Sequence, residues 1–158
     1  MHAFTPLAQF GDPPIDPYTF RFGSAIDVVE YVRQDAYFFY GLYPRLWHLD
    51  DLGAPRCETR CSSCDGIRSW PEFPHSLYAS WGEGLKTGEC PPRWLIVEPW
   101  WRPDDGLPNE GDVACYSQIA ELLSDLDVNL VDAVLIDKDR GSWWSMHELT
   151  TGSTKWSV

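Results

Sequence analysis

Positive charge is what this chain has least of: 12 Lys and Arg stand against 24 Asp and Glu, a net of −12 with His neutral. A field of that sign repels nucleic acid and anionic membrane and favours basic partners. Long apolar runs are missing as well, and no stretch approaches the length of a membrane span. Residues 1–14 have neither the basic start nor the apolar centre of a secretory leader, so the expected location is the cytoplasm, where thiols stay reduced. The chain also lacks a Gly-rich phosphate loop and a Gly-x-Ser-x-Gly turn. For its four histidines, His2, His48, His75 and His147, the sequence places no nucleophile or orienting partner, since His147 and Glu148 on an expected strand would point to opposite faces. The expectation is a protein that binds rather than catalyses.

Aromatic residues, by contrast, are plentiful. They make up 15% of the 158 residues and include nine Trp, each with a large apolar surface and one N–H donor. With 44% hydrophobic residues, the chain has enough apolar surface for one folded domain spanning 1–158. The acidic residues are concentrated. From Glu98 to Asp139 lie Glu98, Asp104, Asp105, Glu110, Asp112, Glu121, Asp125, Asp127, Asp132, Asp137 and Asp139, opposed only by Arg102 and Lys138, a net of −9.

Periodicity predicts the following elements. Residues 1–17, with Pro6, Pro13, Pro14 and Pro17, read as an extended arm. Residues 18–22 alternate like a half-buried strand. Ser24 and Asp27 are spaced as a capping box for a helix over 25–36 whose stripe is Ile26, Val29, Val32 and Ala36. Residues 48–93 lose all periodicity and read as a long irregular insertion. Trp94 to Glu98 is an apolar run suited to a central strand, and Asp112 opens a second helix. Cys115 lies on that helix's apolar stripe and reads as a small core residue. Val131 to Ile136 is a buried strand, after which 142–149 pairs back as a hairpin strand. The economical assembly is α+β: a mixed, mostly antiparallel sheet with two helices on one face and the Cys-containing insertion.

Within that insertion, Cys57, Cys61 and Cys64 lie within eight residues, and Cys90 follows. Two residues between Cys61 and Cys64 let both sulfurs converge on one tetrahedral ion. Cys57, Cys61, Cys64 and Cys90 therefore form a candidate structural zinc site, for which His48 and His75 are available as substitute ligands. A metal would order a segment that has little apolar core of its own. The Cys57-x3-Cys61-x2-Cys64 spacing resembles the cluster-binding loop of radical SAM enzymes, which hold an iron–sulfur cluster by three thiolates. That resemblance implies a long series of strand–helix units, and no such series surrounds the motif here. Arg56, Arg60 and Arg68 balance charge beside the thiolates.

These features favour an acidic binding protein that neutralises a basic partner, in the manner of an immunity protein acting on a toxin, for example a nuclease. The side chains expected to carry binding are Trp100, Trp101, Asp104, Asp105, Glu110, Trp143 and Trp144, as aromatic anchors with charges at their rim. A zinc-stabilised adaptor docking through 48–93 and a phage-encoded DNA mimic are the alternatives. A small hydrolase or redox enzyme is the remaining possibility.

Overall fold

The structure is a computed structural model that describes residues 4–6, 21–34, 44–60, 93–100, 107–137 and 141–156. Its frame is a six-stranded sheet with strand order β1-β3-β2-β4-β5-β6. The strands are β1 (Phe4–Pro6), β2 (Arg45–Leu49), β3 (Pro55–Arg60), β4 (Arg93–Trp100), β5 (Asn129–Asp137) and β6 (Trp143–Ser145). Helices α1 (Ala25–Gln34), α2 (Glu110–Asp125) and α3 (Met146–Thr151) complete the described elements. Among the described strands only β4 and β5 pair in parallel, because α2 carries the chain back between them; the other pairings are antiparallel. The chain is thus α+β with a mixed, mostly antiparallel sheet.

The expectation of two helices on one face is corrected. One core cluster joins Tyr116, Ile119 and Leu123 of α2 to Leu46, Trp94, Ile96, Ala133 and Leu135 of the sheet. A second joins Ala25, Val28, Val29 and Val32 of α1 to Trp47, Leu95, Val97, Val134 and Ile136. Neighbouring residues of β2, β4 and β5 enter different clusters, so α1 and α2 cover opposite faces. The physical reason lies in β4, which is buried from Trp94 to Trp100 and so needs a cover on both sides.

Each helix forms where its ends and spacing allow. In α1 the inward face is Ala25, Val28, Val29 and Val32, while Ile26 is 40% exposed, so the buried stripe keeps Val29 and Val32 of the one read from sequence but has Ala25 and Val28 in place of Ile26. The Asp27 carboxylate accepts from the Gly23 N–H, one residue before the Ser24 position expected for the box. In α2 the cap is Asn109, which accepts from Gly111 and Asp112, and Asp112 reaches back to the Asn109 N–H at 2.8 Å. Asp112 is thus the third helical residue of the capping box, not the cap. Cys115 is a half-buried free thiol. Phe22, Tyr31 and Trp47 lock α1 to the sheet, with ring centroids 5.6–5.7 Å apart in edge and stacked arrangements.

Several sequence expectations change. The arm contributes β1, a short strand paired antiparallel with β3 at the edge of the described sheet. The supposedly irregular 48–93 contains the end of β2 and all of β3. The hairpin strand expected over 142–149 is β6 followed at once by α3, so His147 and Glu148 are helical. The aromatic run 37–43 and most of the strand expected over 18–22 lie outside the described residues. Among the described residues, no helix is long and apolar enough to cross a membrane.

Candidate functional site

The β4–α2–β5 crossover determines which predicted residues meet. Trp100 ends β4 and pairs with Asp137 at the end of β5. Antiparallel β6 then sets Trp143 against Ile136 and Trp144 against Leu135. Because α2 runs back along the sheet, its first residue, Glu110, starts at this same end. Trp100, Asp137, Trp143, Trp144 and Glu110 are therefore gathered at the carboxyl end of the parallel pair, the end where α/β sheets place ligands. Trp101, Asp104 and Asp105 lie outside the described residues.

The three tryptophans are not equivalent. Trp100 is 5% exposed and packs against half-buried Trp144, with centroids 6.1 Å apart. Trp144 belongs to the α2-side core and Trp143 to the α1-side core, as alternation along a strand requires. Of these three, Trp143 and Trp144 offer surface to a partner, and they do so on the two sides of β6. Trp100 backs Trp144 from within. Asp137 was read from the sequence only as one of the acids of its segment; its place at this end follows from strand pairing.

The acidic segment divides between interior and surface. Glu98, Asp112 and Asp132 are 3%, 0% and 0% exposed, so these three contribute nothing to a binding face. Glu110, Glu121, Asp125 and Asp127 are exposed, and Asp137 is half-buried. Helix α2 contains no Lys or Arg. Among the described residues an exposed cation lies at this sheet end: the Arg33 guanidinium donates to the Gly141 carbonyl. Asp139 lies outside the described residues.

Asp132 has a different task. Its carboxylate accepts from Ser145 Oγ at 2.6 Å, Trp156 Nε1 at 2.9 Å, the His147 N–H at 2.9 Å and the Ala133 N–H at 2.7 Å. A register shift in β5 makes this possible: Trp94 pairs with Leu130 but Leu95 with Asp132, leaving Val131 as the extra residue. Burial raises the Asp132 pKa, while its hydrogen bonds from Ser145, His147, Trp156 and Ala133 pull it down. Burial and the Asp132 charge also push the Tyr116 hydroxyl well above its ordinary value. Although Asp, Ser and His meet here, the geometry differs from that of a nucleophile and its base. Ser145 Oγ also caps α3 through the Glu148 N–H, and the His147 ring contacts the Lys155 carbonyl instead of the serine. The cluster ties β5, α3 and the C-terminal segment together. One acid inside the apolar run of 130–136 was the sequence signal for it.

Of the expected metal ligands, Cys57 lies on β3, where the register sets it opposite His48 of β2. Cys61, Cys64 and Cys90, and the substitute His75, lie outside the described residues. His48 is buried, and its pKa is lowered by desolvation, with the Asp50 charge working the other way. At the opposite end of the sheet, an open depression of about 270 Å³ is lined by Ala120, Ser124, Asp127, Val128, Asn129 and Leu130. No protein family matches the chain, and no curated protein is similar to it.

Proposed function

We propose that this protein is a non-enzymatic acidic binder that neutralises a basic protein partner, as an immunity protein neutralises a toxin. The observation that carries the reading is that half-buried Trp143 and Trp144, Asp137 and exposed Glu110 share one end of the sheet, the two tryptophans on opposite sides of β6, beside a helix free of basic residues. Amphipathic aromatics supply contact area at little entropic cost, and flanking carboxylates steer a cationic partner and select its orientation. The exposed acids of α2 extend that field along one side of the molecule.

The test is capture from the native host, with the captured protein identified by mass and its activity then assayed. The reading expects a basic protein that the wild-type chain inhibits at equimolar ratio. Trp144→Ala should weaken binding by about 2 kcal/mol, roughly thirtyfold. Capture of a neutral or acidic protein, or inhibition undiminished in both Trp143→Ala and Trp144→Ala, would remove the basis for this function.

A further inference from the structure

Beyond α3 the chain changes character. Gly152, at φ +77°, ends the helix, and a Cβ there would meet nothing within 4 Å, so the bend stands in open space. Residues 151–155 are exposed, yet Trp156 is only 6% exposed and belongs to the α1-side core cluster. Among the described residues, few bonds hold this segment to the rest of the fold. The Trp156 N–H reaches the Gly23 carbonyl at 3.3 Å, Lys155 forms an isolated bridge with Ser24, and the His147 ring lies 3.1 Å from the Lys155 carbonyl. Ser153 bonds only within the segment and to Thr151. The bond that reaches the interior runs from Trp156 Nε1 to Asp132 Oδ2, at 2.9 Å.

The Asp132 carboxylate keeps its place without the indole. Three other donors, the Ala133 N–H, the His147 N–H and Ser145 Oγ, hold it, and Ser145 is fixed further as the cap of α3. When the indole leaves, Oδ2 keeps Ser145 and gains water, so opening strands no buried charge. Burying one indole gains about as much as ordering residues 153–156 costs in entropy. The bond to Asp132 therefore decides whether the segment is docked.

We propose that residues 153–156 form a releasable strap, and that the socket it fills, with Asp132 and Ser145 at its floor, is a binding site for an indole or another aryl group bearing an N–H donor. Trp156 is its tethered occupant, an aromatic anchor of the kind that dominates protein interfaces. A short tether keeps it there by high effective concentration. Release opens the α1-side core at the socket without unfolding the sheet, a local opening of the kind found near chain ends. Neither the strap nor the socket depends on the acidic surface proposed above.

Native-state hydrogen exchange of the full chain in low urea tests the strap. The backbone and indole N–H groups of Trp156 should exchange at least roughly tenfold faster than the amides of β4 and β5, at a rate nearly independent of urea. Exchange of Trp156 only together with those strands, with the same urea dependence, overturns the strap. For the socket, excess indole added to the wild type should speed Trp156 backbone exchange severalfold by occupying the opened site, whereas 1-methylindole, which lacks the donor, should not. Full-length Trp156→Ala, titrated with both compounds, should bind indole one-to-one and roughly tenfold or more tighter than 1-methylindole. An unchanged exchange rate in the wild type, or equal binding of the two compounds by the variant, overturns the socket. The wild-type measurement decides the matter if the variant does not fold.

Discussion

Asp132 shows how one residue can join three segments of a chain. Its four donors come from β5 itself, from the start of α3 and from Trp156 near the C-terminus. Trp156→Phe keeps the packing but removes one hydrogen bond to a buried acid, an interaction worth about 1.5–3 kcal/mol. Urea unfolding should show that loss as a lower midpoint with an unchanged slope. An unaltered midpoint would mean that the indole N–H adds nothing. His48 gives a second residue-scale expectation, this time in pH. Desolvation sets its folded pKa below the unfolded value of about 6.5, so the unfolded chain binds the additional proton. Its contribution is complete above about pH 6.5 and is lost as pH falls through the folded value. The wild type should lose stability as pH falls below about 6.5 by a step that His48→Leu lacks. Parallel pH profiles for the two proteins would refute this.

Local signals made some elements easy to read and hid others. The helices α1 and α2 were legible because Val29 and Val32 in the first, and Tyr116, Ile119 and Leu123 in the second, recur at helical spacing and are buried. Their placement on opposite faces was legible in principle. Trp94 to Val97 is apolar without alternation, which already implies a strand covered on both sides. Strand β3 was hidden, because Pro-Arg-Cys-Glu-Thr-Arg has no apolar alternation and owes its extension to β1 and β2 on either side. Helix α3 was hidden because Trp143, Trp144 and Met146 look like a continuing strand; the Ser145 cap, accepting from the Glu148 N–H, switches the chain to helix. The metal ligands and partner-binding residues expected between 61 and 92 and between 101 and 106 lie outside the described residues. The β2–β3 turn offers a test at this scale. Asp50 accepts from the N–H groups of Leu52 and Ala54, and Gly53 adopts φ +85° with its carbonyl receiving the Phe22 N–H. A Cβ at Gly53 would lie 2.3 Å from the Phe22 carbonyl oxygen. Gly53→Ala should therefore cost about 3 kcal/mol or more, combining left-handed strain with a backbone clash. A thermal midpoint within a degree or two of the wild type would show that the turn relaxes freely.

At the scale of the molecule, charge and topology act together. Of a net −12, part is spent inside: Glu98, Asp112 and Asp132 serve the core and the α2 cap instead of the surface. What faces outward is an acidic helix flanking a sheet end that carries half-buried tryptophans, with Arg33 as a local counter-charge. Electrostatic steering by such a surface raises association rates more than it lengthens complex lifetimes, and salt screens it within about 10 Å at 0.1 M. Aromatic contact acts mainly on dissociation. The two contributions are therefore separable by kinetics. The double variant Glu121→Lys, Asp125→Lys, on the exposed side of α2, should slow association several-fold and flatten its salt dependence, while Trp144→Ala should speed dissociation. The decisive measurement is the association rate of the captured partner as a function of ionic strength, for the wild type and the double lysine variant. A steep fall with salt in the wild type and a shallow one in the variant is the predicted result. Identical, salt-independent rates in both would contradict a function built on this acidic face.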